Sequence, residues 1–490
     1  MYARTGDGLH TLGRWPADVA LRTPNRIAID DGTDRISYAD LDRRADALAR
    51  TLRAIGCHPG DRIATLTGNS AAHIVLFFAC ARARLVLVPL SWRLAAREIA
   101  DQLAHAEPAL LVVHPRHTAL ATAALARLTD PPRDLTFAGL DAIGEYAELE
   151  PARDEDPVLM LYTSGTSGRP KGVALSHANC FWTNLSLSRT VPLTSKDVVL
   201  QILPQFHVGG WNVQPLLACW VGATVLVEHG FDAGRVLRLI AERRVTTMMG
   251  VPANYLFLAE HPNFASTDLS SLGTIIVGGA PMPEPLLRTW HRRGVTLVQG
   301  YGLSEAAPNV LCVPGDRAAD KLGCAGIPYP YVEVRLADDG ELLVRGPNVF
   351  GGYWRDPAAS ARALHDGWLH TGDLASVDAD GYYRIVDRVD DMFVSGGENV
   401  FPSEVENVLY AHPGVTEAAV VSKPDDRWGK VGVAYVVRRA GSSVTGDELA
   451  AHCRAELAGF KVPREFRFVG ELPHSAVGKI LRRSLRDNPQ

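Results

Sequence analysis

The chain is predicted to be an α/β protein: a large unit built on mostly parallel sheets with covering helices, followed by a small α+β unit. Three observations predict this. Short apolar runs alternate with helical segments over the first three hundred residues, namely LVLVPL (85–90), ALLVV (109–113), ATVLVE (223–228), VTTMMGV (245–251), TIIVGG (274–279) and VTLVQGYG (295–302). Such runs between helices read as βαβ units around a parallel sheet. After Tyr329 the texture shifts to hairpins, and beyond about residue 391 it becomes helix, strand, strand, helix, strand. The chain has 490 residues, and one compact domain holds on the order of 100–200. A boundary at 390 therefore divides it into residues 1–389 and residues 390–490.

The elements follow from local pattern. Leu41, Ala45, Leu48, Leu52 and Ile55 fall on one helical face, and Ser37 with Asp40 forms a capping signal at its start. GDRIATLTG (60–68) reads as a turn and a strand. The stretch 71–90 is the most apolar of the chain, but His73, Arg82 and Arg84 interrupt it. A membrane span needs about 20 mostly apolar residues, so a buried helix running into a buried strand is expected instead. Segments 332–346 and 373–391 carry Asp-Gly turns between alternating residues and read as hairpins. In the last hundred residues VENVLYAHPG and GDELAAHCRAELAG are helical, and VTEAAVVSKP and VGVAYVVRRA are strands.

Bulk chemistry narrows the function. A net charge of -5 and a pI near 6.4 provide no field to hold a polyanion, so nucleic acid is not an expected partner. The N-terminus has no apolar segment of a secretory signal. Seven cysteines are scattered without a C-x-x-C pair, which argues against disulfides or a zinc site and fits a reducing cytoplasm. H-E-x-x-H and G-x-S-x-G do not occur, leaving zinc hydrolysis and serine esterase chemistry unsupported. DADGYY (378–383) lacks the remaining ligands of a calcium loop and is a hairpin turn.

The strongest motif is LYTSGTSGRPKG (161–172). An apolar run enters a loop of glycines, hydroxyl residues and one lysine. Glycines let backbone N–H groups approach phosphate oxygens, hydroxyls add donors and Lys171 adds charge. It is not a Walker A loop, which needs Gly-Lys followed by Ser or Thr; Lys171 stands between Pro170 and Gly172. A solvated linker is the plain alternative, but linkers rarely follow a buried strand with this order of residues.

YTSGTSGRPKG resembles the phosphate loop of the adenylate-forming superfamily: acyl-CoA and aryl-CoA ligases, peptide-synthetase adenylation domains and firefly-type luciferases. Six further segments match in the family's order: LPQFHVGG (203–210), VGGAPMP (277–283), QGYGLSEAA (299–307), HTGDL (370–374), YRIVDRVDDMFVSGGENVFPSEVE (383–406) and PHSAVGKILRR (473–483). The resemblance covers nearly the whole chain. It implies that the large domain also contains a β-barrel-like part and that the small C-terminal domain is mobile.

The resemblance also implies roles. Thr163, Ser164, Gly165, Thr166 and Lys171 would cradle phosphates, with Ser304 contacting phosphate and Glu305 holding the Mg2+ of Mg-ATP, a cation that wants carboxylate oxygen. Gly278, Gly279, Ala280 and Tyr301 would form the adenine slot, with Gln299, Gly300 and Gly302 also binding the nucleotide. Asp373 and Arg388, with Ile385 nearby, would bind ribose. Lys479 would reach the carboxylate and the α-phosphate; its plain alternative is a lysine in a basic tail beside Arg482, Arg483 and Arg486. His207, alone among apolar residues, would read as a core histidine without the resemblance; with it, His207 orients the acid. Asp390 would be the hinge about which Lys479 swings out and Ser395, Gly396 and Gly397 swing in to line a tunnel for CoA, with Trp428 stacked on its adenine or simply a surface aromatic.

The implied reaction is ATP-dependent joining of a small-molecule carboxylic acid to CoA through acyl-AMP. The acid pocket would draw on His207, Val208, Gly209, Trp211, Met249, Ala280, Leu303 and Asn309. Read as mostly apolar and poor in cations, it favours a medium- or long-chain fatty acid, with a benzoate- or cinnamate-type aromatic acid as the alternative. A carrier-loading enzyme is a second alternative. It is disfavoured because GGWNVQPLL lacks the aspartate that peptide-synthetase domains place there, and no fused carrier domain is expected. A luciferase-like monooxygenase and an inactive nucleotide-binding protein are further readings; Lys171, Glu305, Asp373, Arg388 and Lys479 together argue against the last. No membrane-spanning segment is expected, and both monomer and homodimer stay open.

Overall fold

The structure is a computed structural model that describes residues 8–141, 147–164, 170–388, 391–395, 398–425, 427–474 and 480–487. The alternating apolar runs do form parallel strands, but they divide between two sheets rather than one. The larger sheet runs in the order Ile327–Pro328, Asn309–Cys312, Thr296–Gly302, Thr274–Val277, Thr247–Gly250, Val198–Gln201, Thr224–Val227, Ile27–Asp30 and Arg35–Ser37. Its central strands are all parallel. The second sheet runs Arg133–Leu135, Leu110–Val113, Arg62–Leu66, Val86–Pro89, Pro157–Ser164 and Pro170–Ser176.

Helices sit between and outside the sheets. Helix Tyr38–Ala54 carries the capping box that Ser37 and Asp40 announced. Helix Ala71–Ala83 is almost wholly buried and apolar apart from His73 and Arg82. Both lie in a core that takes Ile29, Val199 and Val225 from one sheet and Ile63, Leu87 and Leu159 from the other. The opposite face of the larger sheet, with Leu200, Leu226, Met248, Ile275 and Leu297, packs in a separate core with Val236, Tyr255 and Trp290 from covering helices. Successive strand residues point to opposite faces, so a strand covered on both sides is apolar throughout. That is why these runs show no alternation.

The part expected to resemble a barrel is an antiparallel sheet of Glu333–Leu336, Glu341–Arg345, Trp368–Val377, Leu364–His365 and Tyr383–Arg388. Residues beyond 391 begin with a hairpin, Phe393–Ser395 and Glu398–Val400, that the sequence pattern did not reveal. Helix Pro402–Ala411, strands Val415–Asp425 and Gly429–Arg438, helix Gly446–Glu456 and strand Glu465–Val469 then follow in the expected order. Their apolar residues form a core of their own around Val405, Val420, Val436 and Leu449. The order of elements fits a second unit near 390, although Asp390 itself lies outside the described residues.

Candidate active site

Ligands of open α/β sheets collect outside the carboxyl ends of parallel strands. Here four neighbouring parallel strands, Val198–Gln201, Thr247–Gly250, Thr274–Val277 and Thr296–Gly302, end in sequence at the segments singled out by motif. The first leads to His207, the second carries Met249, the third leads to Gly278, Gly279 and Ala280, and the fourth carries Gln299, Gly300, Tyr301 and Gly302 before Leu303, Ser304 and Glu305. Glycine is required at Gly302, where a Cβ would stand 2.0 Å from the Pro308 carbonyl oxygen. A Cβ on Gly278 would meet Met249 Cε at 3.1 Å and Gly300 O at 3.2 Å.

The phosphate-loop strands form a hairpin in which Thr163 pairs with Lys171. Residues 165–169 at its tip, with Gly165 and Thr166, lie outside the described residues, as does the Ser164 side chain. The hairpin is joined to Glu305 by the segment around Tyr353. Val173 bridges to Tyr353, and Trp354 N–H donates to Gly172 O at 2.7 Å. Phe350 N–H donates to Glu305 O at 2.8 Å, and Tyr353 Oη donates to Glu305 Oε1 at 2.8 Å. Lys171 Nζ stands 4.8 Å from the centroid of the same ring. One tyrosine thus touches the loop lysine on its face and the carboxylate at its edge. Burial, then the Glu305 charge, push the Tyr353 hydroxyl far above its usual range, so it stays a neutral donor. Tyr353 was not singled out from sequence, because nothing local relates it to Glu305, 48 residues earlier.

Asp373 is reached from the same strand. Tyr301 Oη donates to Asp373 Oδ2 at 2.5 Å, and Arg388 Nε lies 3.3 Å from Asp373 Oδ1. Asp373 and Arg388 are cross-strand partners, which is how residues 15 apart face each other. The Asp373 N–H donates to Thr371 Oγ1 at 3.1 Å, and Thr371 Oγ1 donates to Leu342 O at 2.7 Å. Burial, then the adjacent Asp373 charge, raise the Tyr301 hydroxyl well above its usual value. Ile385 lies on the strand paired with Trp368–Val377, opposite Ala375.

The segment before His207 is fastened by buried amides. Gln205 N–H donates to Asn69 Oδ1 at 2.8 Å, and Gln205 Oε1 accepts from Ser70 N–H at 3.1 Å. Gly210 cannot bear a side chain, since its Cβ would lie 2.4 Å from Pro204 O. Trp211, expected in the acid pocket, is wholly buried in the main core. Its Nε1–H donates to Gln205 O at 2.6 Å, and its ring stacks on Phe77 with centroids 5.1 Å apart. A ring so enclosed exposes no surface to a ligand in this structure. Asn309 is buried, and its Nδ2 donates to Thr183 Oγ1 at 3.0 Å. Thr183 lies beside it, and the next residue of the same helix, Asn184, donates to Asn212 Oδ1 at 3.1 Å, so buried amides and a hydroxyl are more frequent here than the sequence segments suggested. Thr183 and Asn184 belong to a helix far upstream of the motifs and escaped notice for that reason.

In the C-terminal part, Ser395 is buried and pairs with Glu398. Trp428 has Arg427 and Arg464 at 5.0 and 5.9 Å from its ring. Gly396, Gly397 and Lys479 lie outside the described residues; His474 and Ile480, on either side of the last, form an antiparallel bridge. Arg482 is held by Glu406 at 2.6 Å.

Two family models match, that of AMP-binding enzyme over residues 17–354 and that of the AMP-binding enzyme C-terminal domain over residues 404–479. The chain belongs to the AMP-binding enzyme family. A feruloyl-CoA synthase of an Amycolatopsis species is 43% identical over 97% of this chain and 98% of its own. An indoleacetate–CoA ligase of Aromatoleum aromaticum is 38% identical over 97% of each. Among solved structures, the o-succinylbenzoate CoA synthetase of Bacillus subtilis, in complex with its acyl-adenylate intermediate, superposes with a TM-score of 0.89 at 31% identity, covering 97% of this chain and 98% of that one. This AMP-binding enzyme is an AMP-forming acid–thiol ligase of the acyl- and aryl-CoA ligase group. No helix among its described residues is long and apolar enough to cross a membrane.

Proposed function

We propose that this ligase converts an aromatic carboxylic acid, of the arylacrylate or arylacetate kind, to its CoA thioester. The expectation of a fatty acid came from reading the pocket as apolar. The neutral polar side chains of Thr183, Asn184, Asn212 and Asn309 and the aromatic acids that the feruloyl-CoA synthase and the indoleacetate–CoA ligase are named for favour the aromatic alternative. A long alkyl chain would desolvate those amides without compensation.

The observation that carries the reading is the double convergence at the end of one strand. Tyr353 joins Lys171 to Glu305, and Tyr301 joins the same strand to Asp373. Phosphates and ribose of a single ATP would span these two points. In the first half-reaction a carboxylate oxygen of the acid attacks the α-phosphorus, the bond to the bridging oxygen breaks and pyrophosphate leaves. Lys171 would hold phosphate oxygens in line. Asp373 keeps lone pairs beyond those used by Tyr301 and Arg388 and would accept from the ribose hydroxyls. Lys479 would offset charge at the α-phosphate. Glu305 suits Mg2+, which commonly takes one or two carboxylates plus substrate phosphates; the metal supplies neutralisation of phosphate charge when bound. In the second half-reaction the CoA thiol attacks the acyl carbonyl and AMP leaves, with Ser395, Gly396, Gly397 and Trp428 assigned to the CoA side and Asp390 to the hinge.

The test is pyrophosphate release across cinnamate-, arylacetate- and benzoate-type acids and C8–C16 fatty acids, with and without CoA. Turnover of aromatic acids well above fatty acids is expected, with thioester formed only when CoA is present. Preference for fatty acids would restore the other reading, and transfer to a carrier protein in place of CoA would overturn the acceptor.

A further inference from the structure

The carboxylate given to ribose, Asp373, sits in an irregular stretch of its sheet. Glu341 stands opposite Leu374, and Leu343 stands opposite His370. Thr371, Gly372 and Asp373 therefore share the place of Leu342 alone, and the strand Trp368–Val377 bulges between those two pairs. A bulge bends its strand and re-aims the side chains on it, which is why bulges gather next to active sites. The side chain carried by this one, Asp373, meets Tyr301 Oη at 2.5 Å and Arg388 Nε at 3.3 Å.

A bulge also takes backbone groups out of the ladder, and each needs another partner. The Asp373 N–H is met by Thr371 Oγ1, which itself donates to Leu342 O. The Gly372 N–H goes to a side chain of the neighbouring strand: it donates to Glu341 Oε1 at 2.8 Å. Glu341 Oε2 accepts from His370 Nδ1, also at 2.8 Å. A carboxylate only accepts, so Nδ1 carries the ring proton. Both oxygens of Glu341 are thus engaged by the bulged strand, on either side of Thr371. Only 15% of that side chain is exposed, so water competes little and each bond is strengthened.

Gly372 is where the bulge turns. Its φ is +71°, in the left-handed region that glycine adopts without strain. A Cβ there would stand 3.2 Å from Arg388 Nη2. The turn that sets Asp373 against Arg388 is therefore free of any side chain of its own to hold it, and the Glu341 carboxylate supplies the hold. We infer that Glu341 is a positioning residue for nucleotide binding: it fixes the bulge at Gly372 in the conformation that directs Asp373 towards the ribose hydroxyls. The inference rests on the ribose role given to Asp373 above and deepens it.

The experiment is titration calorimetry of Mg-ATP, 2′-deoxy-ATP and 3′-deoxy-ATP into wild-type enzyme, Glu341→Leu, Glu341→Asp and Glu341→Gln, with the thermal midpoint of each protein recorded. No acid is added, so the result does not depend on which acid the enzyme activates. Hydrogen bonds to charged groups are among the stronger ones, so the wild type is expected to bind ATP about 10-fold or more tightly than at least one deoxy analogue. Glu341→Leu keeps the bulk and removes the acceptor; Kd for ATP should rise about 10-fold while Kd for the deoxy analogues moves little, so that the preference falls towards one. Glu341→Asp draws the acceptor back by one methylene and should lose part of the preference, which carries the test if the leucine variant does not fold. Glu341→Gln keeps an oxygen for the Gly372 N–H and should retain most of it. Folded leucine and aspartate variants with a lowered thermal midpoint but the wild-type preference would overturn the inference and leave Asp373 at the ribose. Equal binding of ATP and both deoxy analogues by the wild type would overturn the ribose assignment together with the inference.

Discussion

Tyr301 Oη lies 2.5 Å from Asp373 Oδ2, across 72 residues of sequence. This bond joins the end of a parallel strand in the large sheet to the antiparallel sheet that follows, and it places a carboxylate beside the segment predicted to hold the nucleotide. Asp373→Asn removes the charge and one acceptor. Hydrogen bonds to charged groups contribute about 1.5–3 kcal/mol, so KM for ATP should rise at least about 10-fold. Tyr301→Phe leaves the carboxylate in place and should cost less. Pyrophosphate release at varied ATP checks both; an unchanged KM for ATP in Asp373→Asn would remove Asp373 from the ribose site.

Glu305 and Tyr353 form the second junction, at 2.8 Å. Glu305→Gln should lower kcat for pyrophosphate release by about 100-fold or more, and excess Mg2+ should recover part of the loss if the carboxylate holds the metal. Tyr353→Phe loses a neutral donor and should cost only a few-fold. Because the Tyr353 hydroxyl is pushed up by burial and by Glu305, it should add no ionisation to the pH–rate profile below pH 10.

Lys479→Ala should abolish pyrophosphate release yet spare thioester formation from supplied acyl-AMP and CoA, since only the first half-step passes through a pentavalent α-phosphorus whose added charge a cation would offset. Equal loss in the two assays would refute that division of labour.

His73 and His177 offer a stability test away from the chemistry. Burial lowers both to about 4, against an ordinary value of 6.5; a hydrogen bond to Gln205 partly counters it for His73, and Asp156 and Asp154 do so for His177. Both are neutral in the folded protein, and the unfolded chain takes up their protons below 6.5. Their contribution is thus complete above pH 6.5 and is lost as pH falls towards 4, by roughly 3 kcal/mol each at 1.36 kcal/mol per pKa unit. The urea midpoint should drop between pH 7 and pH 4.5, and His73→Gln should flatten that drop. A pH-independent midpoint would contradict the assignment of these two histidines as buried neutral groups.

Much of this protein is legible before folding. Ser37 and Asp40 announce their capping box, and the Asp-Gly turns announce their hairpins, because caps and turns are decided by neighbours in the chain. The apolar run at 71–90 splits into a helix and a strand as its interruptions suggested. The loop at 161–172, Glu305, Asp373 and Arg388 drew attention through motif alone, and the structure brings Lys171 to Tyr353 and Glu305, and Asp373 to Arg388. The burial of Trp211 against Phe77 was not legible, since a sequence shows only a ring near a histidine. The division into two sheets was hidden too, because strands covered on both faces look alike whichever sheet they join.

The linear order of residues determined the class of protein and singled out the glycine- and hydroxyl-rich loop at 161–172 with the charged residues proposed to act beside it, since those depend on residue type and short-range spacing. Tertiary structure alone decided that Tyr353 spans Lys171 and Glu305, that Tyr301 seizes Asp373, and that Asn184 arrives beside Asn212. Contacts of that kind form between segments tens of residues apart. They are selected by how whole sheets and helices pack, so no local pattern in the chain encodes them.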